Sequence, residues 1–186
     1  MDERKWIERI LAGDTQSFSC LVAKYEKMAY TIALRILENR EAEEAVQDAF
    51  VKMYRALSDF HFDSKFSTWF YRIVYRTALT ALRQQRMFVS YEEAGPVDLS
   101  NDEVESATAL LEREDRKEMI ARTLKKLPAD EALLLTLYYL EECSVEEICQ
   151  ITELSASNVK VKLFRGRKRF YEVLQDKMKL ETADLL

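Results

Sequence analysis

Apolar side chains recur every three or four residues along most of this chain, which is the spacing of one face of an α-helix. The clearest case begins near Cys143, where two helical patterns are joined by a tight turn. Ser144 and Glu147 fit a capping box at the start of the first helix. In such a box the serine hydroxyl accepts a hydrogen bond from a free backbone N–H at the helix start, and the glutamate carboxylate accepts one from the serine backbone N–H. Ser155 offers an N-cap for the second helix. The apolar stripe of this second helix is expected to be buried and consists of Val159, Leu163, Gly166 and Phe170.

The opposite side of the second helix is basic, since no acidic residue lies between Glu153 and Glu172. A capped helix, a short turn and a helix that presents cations to solvent are typical of proteins that lay a recognition helix in the major groove. The alternative is an ordinary helical hairpin with a solvated basic face, because short helix-turn-helix signals give false positives. The side predicted to face duplex DNA carries Lys160, Val161, Phe164, Arg165 and Lys168.

Helical patterns also fill the front half of the chain. A first short helix is predicted to end at Gly13, and Asp14 or Thr15 can cap the next. A third helix has an acidic outer face that includes Glu44, Gln47 and Asp48. From the residues alone, a solvated face is favoured over a surface that docks a basic partner.

The stretch from Phe60 to Arg86 combines aromatic side chains with a basic run, and no acid occurs between Asp63 and Glu92. Exposed rings beside arginines suit an unpaired nucleic-acid strand, because bases stack on the rings while cations hold the backbone. The alternative is that the tyrosines pack against the preceding loop. The outer side of this helix is expected to carry Tyr71, Arg72, Tyr75, Arg76, Arg83 and Arg86.

The chain of 186 residues contains only 3 Gly and 2 Pro and has no alternating strand pattern, so an all-α protein is predicted. Two helical domains are expected, at residues 1–86 and 113–180, with a flexible acidic linker at 87–112 and a tail at 181–186. The second domain is predicted to be a four-helix unit. Its core is expected to include Leu133, Leu134, Leu137 and Tyr138.

The formal net charge of −5 is unusual for a protein that binds nucleic acid, so the distribution of charge matters more than its sum. No apolar run approaches the ~20 residues of a membrane span and no signal-peptide core is evident, so a cytoplasmic protein is expected. Three cysteines without close pair spacing and a single histidine disfavour a zinc site. The sequence contains neither a recognisable set of catalytic nucleophile and base nor a Gly-rich phosphate loop. We therefore expect a protein that is not an enzyme and that binds no cofactor and no small-molecule substrate.

Three segments together resemble, in order, those of the extracytoplasmic-function sigma factors, the small two-domain members of the bacterial sigma family. They are EAEEAVQDAFVKMYRAL, FSTWFYRIVYRTALTALR and LPADEALLLTLYYLEECSVEEICQITELSASNVKVKLFRGRKRF. The resemblance implies a sigma-two domain, a sigma-four domain and a transcription initiation subunit that performs no covalent chemistry. Such a subunit binds core RNA polymerase, recognises promoter DNA and helps to open it.

The resemblance also implies roles for individual residues. Glu44, Gln47 and Asp48 would dock on the clamp helices of the polymerase, which reverses the preference for a merely solvated face. The upstream (−35) element would be read as duplex by the exposed side of the helix that contains Arg165. A flipped base of the start-proximal (−10) element would be captured by the loop and helix from Phe60 to Thr80, in which Phe60 and Tyr71 match aromatic positions of the family and Arg76 and Thr80 stand where some relatives carry Asn. Beside these residues, Tyr75 and Arg83 of the outer side are assigned to the same unpaired strand.

The resemblance also implies a role for the acidic linker and a further protein partner, and two rival functions were considered. By resemblance, the acidic linker threads the RNA-exit path of the polymerase, and a membrane-linked anti-sigma factor covers the binding surfaces until a signal arrives. A conventional helix-turn-helix regulator would share the second domain but would not need the aromatic and basic stretch of the first. An enzyme acting on nucleic acid is the other rival, although no paired-carboxylate metal cluster supports it.

Overall fold

The computed structural model describes residues 3–89 and 111–183, with side chains described for 3–85 and 118–176. All regular secondary structure in these ranges is helical, which confirms the all-α class. A short 3-10 turn at Leu57–Asp59 and a π-helical turn at Thr136–Leu140 interrupt the α-helices. The helices are α1 Glu3–Leu11, α2 Thr15–Leu34, α3 Asn39–Arg55, α4 Phe66–Val89, α5 Leu111–Lys125, α6 Ala129–Leu135, α7 Val145–Thr152 and α8 Ala156–Ala183.

The turn between α1 and α2 forms as its residue types require. Gly13 has a φ of +97°, a backbone conformation that residues with a side chain rarely adopt. Asp14 then caps α2, because its carboxylate accepts hydrogen bonds from the Gln16 backbone N–H at 3.0 Å and from Ser17 Oγ at 2.8 Å. The predicted end of the first helix and the Asp14 cap are confirmed.

Helices α1 to α4 bury one apolar core. Leu21 and Ile32 of α2, Met53 of α3 and Phe70 of α4 are completely or almost completely buried. Tyr25 lies at the centre of an aromatic cluster, with its ring centroid 5.9 Å from that of Phe70 in an edge-on arrangement. Rings packed in this way add to the burial of apolar surface and fix α4 against α2.

Helices α6 to α8 and the π-helical turn bury a second core. Leu134, Leu137 and Ile148 are almost inaccessible to solvent. Gly166 lets α8 approach α6 closely, since a Cβ added there would lie 3.2 Å from Leu135 Cδ1. The prediction that Tyr138 belongs to this core is wrong, because the π-helical turn shifts the register of the helix and leaves 37% of Tyr138 exposed.

The predicted linker at 87–112 is described only at its ends. Helix α4 runs to Val89 and α5 begins at Leu111, so both helices extend into the predicted linker; residues 90–110 and 184–186 lie outside the described residues. The two groups of helices meet where α7 packs on α4. Among the helices described, none combines the length and apolar character that a membrane span needs.

Candidate nucleic-acid interfaces

Helix α7, its turn and α8 form from local side-chain contacts. The predicted capping box is confirmed: Ser144 Oγ accepts from the Glu147 backbone N–H at 3.1 Å, and Glu147 Oε2 accepts from the Ser144 backbone N–H at 2.8 Å. Glu153 ends α7 in the left-handed conformation, with a φ of 62°. Ser155 Oγ accepts from the Asn158 backbone N–H at 3.3 Å at the start of α8. These contacts set a helix-turn-helix geometry.

Helix α8 has one buried side and one exposed side, as predicted. Val159 and Leu163 are buried with exposures of 0% and 4%. Phe164 and Val161 on the opposite side are 64% and 47% exposed. Two apolar side chains exposed beside cations form a surface that suits contact with another molecule. The exposed basic residues on this side are Lys160, Arg165 and Lys168.

The cations that flank this side are occupied within the protein. Glu131 is 5% exposed and accepts from Arg169, so this pair holds α8 against α6. Three cations make such contacts: Lys162 with Asp130, Arg169 with Glu131 at 2.9 Å, and Arg167 with the Tyr139 hydroxyl at 3.3 Å.

Lys160 and Arg165 differ from those flanking cations. Within residues 3–85 and 118–176, no carboxylate lies within 4 Å of either side chain. Lys168 has only a loose contact, with Nζ 3.9 Å from Glu172 Oε1. Lys160, Arg165 and Lys168 are therefore available to a polyanion such as duplex DNA.

A second basic surface lies on α4 beside the end of α3. Arg76 and Arg83 are exposed, as predicted, and so is Thr80. Lys52 was not predicted, and its Nζ donates to Thr77 Oγ1 at 3.2 Å. A signal for Lys52 was available in the sequence, because Lys52 and Arg55 place positive charge at the end of an otherwise acidic helix. Lys52, Arg76 and Thr80, but not Arg83, border a pocket of about 260 Å³. Its lining residues are Lys52, Ala56, Ile73, Arg76, Thr77 and Thr80.

Tyr71 does not lie where the helical wheel predicted, because it is only 2% exposed. Its hydroxyl donates to Glu141 Oε2 at 2.6 Å, and its ring lies 6.0 Å from that of Tyr25. Burial and the hydrogen bond to Glu141 raise the pKa of Tyr71 above its usual range. The wheel considered α4 alone, whereas residues of the second domain cover this side. Tyr75 is half-buried, and burial followed by the charge of Glu153 raises the pKa of its hydroxyl.

Phe60 is also buried, with 7% of its surface exposed. Its ring packs against Phe66 at 5.4 Å and against Trp69 at 5.1 Å between centroids. The neighbouring Phe62 instead has a φ of 61° and is 42% exposed, with the Arg4 guanidinium 5.0 Å from its ring centroid. Phe60, which the resemblance assigns to the flipped base, is therefore covered by its neighbours, whereas the loop conformation presents Phe62 to solvent.

The acidic face of α3 is exposed at Glu44, Gln47 and Asp48, as predicted. Val51 and Tyr54, further along the same helix, are 47% and 46% exposed. They border a largely apolar pocket of about 330 Å³ lined by Thr15, Phe18, Phe50, Val51, Tyr54 and Arg55. Sequence periodicity did not indicate this pocket, because it forms only where α2 crosses α3.

Two family models match the chain, Sigma-70 region 2 over residues 21–87 and Sigma-70 region 4 over residues 117–170. The ECF RNA polymerase sigma-E factor of Escherichia coli strain K12 is 31% identical over 169 residues, which are 87% of this chain and 88% of that protein. This chain belongs to the ECF sigma factors of the sigma-70 family. The RNA polymerase sigma-H factor of Pseudomonas aeruginosa is 32% identical over 181 residues, with 93% and 94% of the two chains covered.

Two solved structures share the fold of this ECF sigma factor. One is CnrH in complex with the cytosolic domain of CnrY, at a TM-score of 0.61 and 21% identity, covering 94% of this chain and 97% of that one. The other is the sigma factor RpoE in complex with the anti-sigma factor NepR from Bartonella quintana, at a TM-score of 0.66 and 18% identity, covering 87% and 98%. As a sigma factor, the chain is a promoter-specific initiation factor that acts with core RNA polymerase, and the match over residues 21–87 separates it from a conventional helix-turn-helix regulator.

Proposed function

We propose that this sigma factor reads the −35 element as duplex with the exposed side of α8 and holds the unpaired −10 strand on α4. The observation that carries the proposal is the division of α8. Val159 and Leu163 of its apolar stripe are buried, and the opposite side presents exposed apolar groups beside Lys160 and Arg165, neither of which has a carboxylate within 4 Å among the described side chains. The residues assigned to the duplex are Lys160, Val161, Phe164, Arg165 and Lys168.

Four of the five duplex residues have a chemical role that suits their exposure. Lys160 and Lys168 neutralise phosphates, and Arg165 can donate to a phosphate or, in a bidentate arrangement, to a guanine edge. Val161 is apolar and suits the methyl group of a thymine. The phosphate contacts fix the position and orientation of α8 on the duplex, whereas the contacts to base edges select the promoter sequence.

The unpaired strand is assigned to α4 and the end of α3. Arg76 and Arg83 hold the strand backbone, Thr80 and Lys52 border the adjacent pocket, and Tyr75 supplies a ring edge. Phe60 and Tyr71 remain assigned to capture of the flipped base, and both must be uncovered before they can act. Unstacking costs a few kcal/mol per base and aromatic stacking returns ~1–3 kcal/mol per base, so several contacts and the polymerase itself are required.

Protein partners are assigned to the remaining surfaces. Glu44, Gln47 and Asp48 dock on the clamp helices of core polymerase, and the acidic linker enters the RNA-exit path. A membrane-linked anti-sigma factor covers these surfaces until a signal arrives. The apolar pocket beside Val51 and Tyr54 suits an amphipathic helix of such a partner. The protein acts in the cytoplasm, together with the polymerase.

A matched pair of arginines on α8 tests the assignment. Arg165→Ala should lower run-off transcription by reconstituted polymerase about tenfold or more, because a specific arginine contact is worth ~1–3 kcal/mol. Arg167→Ala removes the same charge two residues away, where the side chain bonds to Tyr139, and should leave transcription near the wild-type level. Equal losses from both variants would contradict the assignment of the exposed side to the duplex.

Promoter opening is tested separately. Arg83→Ala should leave closed complexes intact and reduce the permanganate reactivity of thymines in the −10 region, since it removes a backbone contact to the unpaired strand. Arg165→Ala should instead reduce formation of the closed complex. If Arg83→Ala weakens closed complexes and open complexes alike, α4 does not hold the melted strand.

A further inference from the structure

Helix α8 packs on α6 at a place that contains a buried ion pair. Glu131 on α6 is 5% exposed, and its Oε1 accepts a hydrogen bond from Arg169 of α8 at 2.9 Å. The other carboxylate oxygen, Oε2, is buried and has no hydrogen-bond partner among the described residues. Beside this pair, Leu135 of α6 packs closely against α8 at Gly166. We refer to Glu131, Leu135, Gly166 and Arg169 as the α6–α8 seam.

Stability alone does not account for the pair of Glu131 and Arg169. Removing a carboxylate from water is unfavourable, and one bond to a guanidinium that is itself half exposed offsets only part of this penalty. Replacing a buried ion pair by apolar side chains of similar volume is often neutral or stabilising. The neighbouring pair of Asp130 and Lys162 is different, because the Asp130 side chain is 53% exposed and solvent screens its charge.

The seam lies at the level of the residues assigned to the duplex. Gly166 follows Arg165 in the chain, and a Cβ added at Gly166 would lie 3.3 Å from Glu131 Cβ. The buried side of α8 is otherwise apolar at Val159 and Leu163, and apolar contacts are not directional. A bond between a carboxylate and a guanidinium has a defined direction. Glu131 therefore supplies a directional contact next to Arg165.

A small rotation of α8 about its own axis is enough to disturb base contacts. Side chains reach ~5–6 Å from the axis of an α-helix, so a rotation of about 20° moves their ends by about 2 Å. This displacement breaks a hydrogen bond to a base edge, because donor and acceptor must lie about 2.7–3.2 Å apart. Attraction to phosphates changes less, since the force between charges decreases gradually with distance. Rotation therefore affects base recognition more than general affinity for DNA.

We propose that Glu131 is a positioning residue for recognition of the −35 element. Through its bond with Arg169 it fixes the rotation of α8, although Glu131 itself does not contact DNA. In this rotation Val161 and Arg165 face the base edges. The inference rests on the proposed role of α8 and adds that duplex discrimination depends on a buried carboxylate of another helix.

The variant that tests the inference replaces the ion pair by apolar side chains. Glu131→Leu combined with Arg169→Met leaves no buried charge without a partner, so its urea midpoint should equal or exceed that of the wild-type protein. Glu118→Leu combined with Arg122→Met is the matched control, because it removes an exposed pair of the same two residue types from α5. Both double variants keep the net charge of the chain.

The first experiment measures sequence discrimination. Polymerase reconstituted with each full-length variant is titrated into a fluorescein-labelled promoter duplex, and into the same duplex with a scrambled −35 element, and fluorescence anisotropy gives the ratio of the two affinities. The Glu131 and Arg169 double variant should lower this ratio about tenfold, which is the discrimination that a good base contact supplies. The control should keep the wild-type ratio. Glu131→Gln retains an acceptor for Arg169 and should keep most of it.

The second experiment measures how the affinity for the promoter duplex depends on salt. The slope of log K against log salt changes by about 0.9 for each phosphate contact. The Glu131 and Arg169 double variant should keep the wild-type slope, whereas Lys168→Ala should reduce its magnitude by about 0.9. A reduced slope for the double variant would mean that Arg169 contacts a phosphate directly, and the inference would then be wrong.

Two other results would also overturn the inference. One is a discrimination ratio for the Glu131 and Arg169 double variant equal to that of the control. The other is a lower urea midpoint for this variant, because impaired folding would then explain the loss of recognition. Arg165→Ala separates these outcomes from the proposed function. If Arg165→Ala leaves the ratio at the wild-type value, the duplex assignment itself fails; if it lowers the ratio and the double variant does not, only the positioning role fails.

Discussion

Two valines on the same turn of α8 provide a sensitive test of how this helix is oriented. Val159 is completely buried, whereas Val161 is 47% exposed on the side assigned to duplex DNA. The substitution Val→Ala removes the same two methyl groups at each position. Any difference between the two variants therefore reports the surroundings of the side chain and not its chemistry.

The expected loss of stability at the buried position follows from its exposure of 0%. Two buried methyl groups contribute ~1.6 kcal/mol, and the cavity that remains adds to this loss. Alanine regains ~0.5 kcal/mol through its higher helix propensity. Val159→Ala should therefore lower the free energy of unfolding by about 1.5–2 kcal/mol. Val161→Ala should leave the free energy of unfolding nearly unchanged. About half of the Val161 side chain is already exposed, so less apolar surface is lost from the interior, and the higher helix propensity of alanine offsets most of that loss.

The assay is urea denaturation of the full chain followed by circular dichroism at 222 nm. With a denaturant slope of ~2 kcal/mol per molar urea, Val159→Ala should lower the transition midpoint by about 0.8–1 M. Run-off transcription should show the opposite order. Val161→Ala should lose activity several-fold, whereas Val159→Ala should transcribe at a near wild-type level in buffer without urea, where it remains folded. If Val161→Ala destabilises the protein as much as Val159→Ala, the helix is rotated from the orientation described and the duplex assignment fails.

Two further predictions concern the start of α7. Ser144→Ala should destabilise the second domain by ~1 kcal/mol, measured as a shift in the same urea transition, because a backbone N–H of α7 loses its partner; Ser144→Thr retains the hydroxyl and should restore most of the stability. Cys143 is buried, and this burial, followed by the charge of Glu147, raises the pKa of its thiol to about 11. Iodoacetamide at pH 8 should therefore alkylate the exposed Cys20 far faster than Cys143 in the native protein, as measured by peptide mass spectrometry; equal rates would contradict the packing around Cys143.

Local features of this protein follow from its sequence because their causes lie within a few residues. The capping box at Ser144 and Glu147 and the Asp14 cap each depend on a side chain that bonds to a backbone amide two or three residues away. The division of α8 into a buried stripe and a basic side follows from the period of the helix. The all-α class and the exposure of Lys160, Val161, Phe164 and Arg165 were predicted for this reason.

Tertiary structure alone decided which of the α4 side chains reach solvent. A helical wheel places Tyr71 on the outer side of α4, yet the second domain covers it through Glu141, a residue 70 positions away. Phe60 is buried while Phe62, a left-handed residue of the same loop, is exposed, and Tyr138 leaves the core because a π-helical turn shifts its register. Periodicity describes one helix in isolation, whereas burial depends on every element that packs against it, so sequence determined the faces and packing determined which of them are covered.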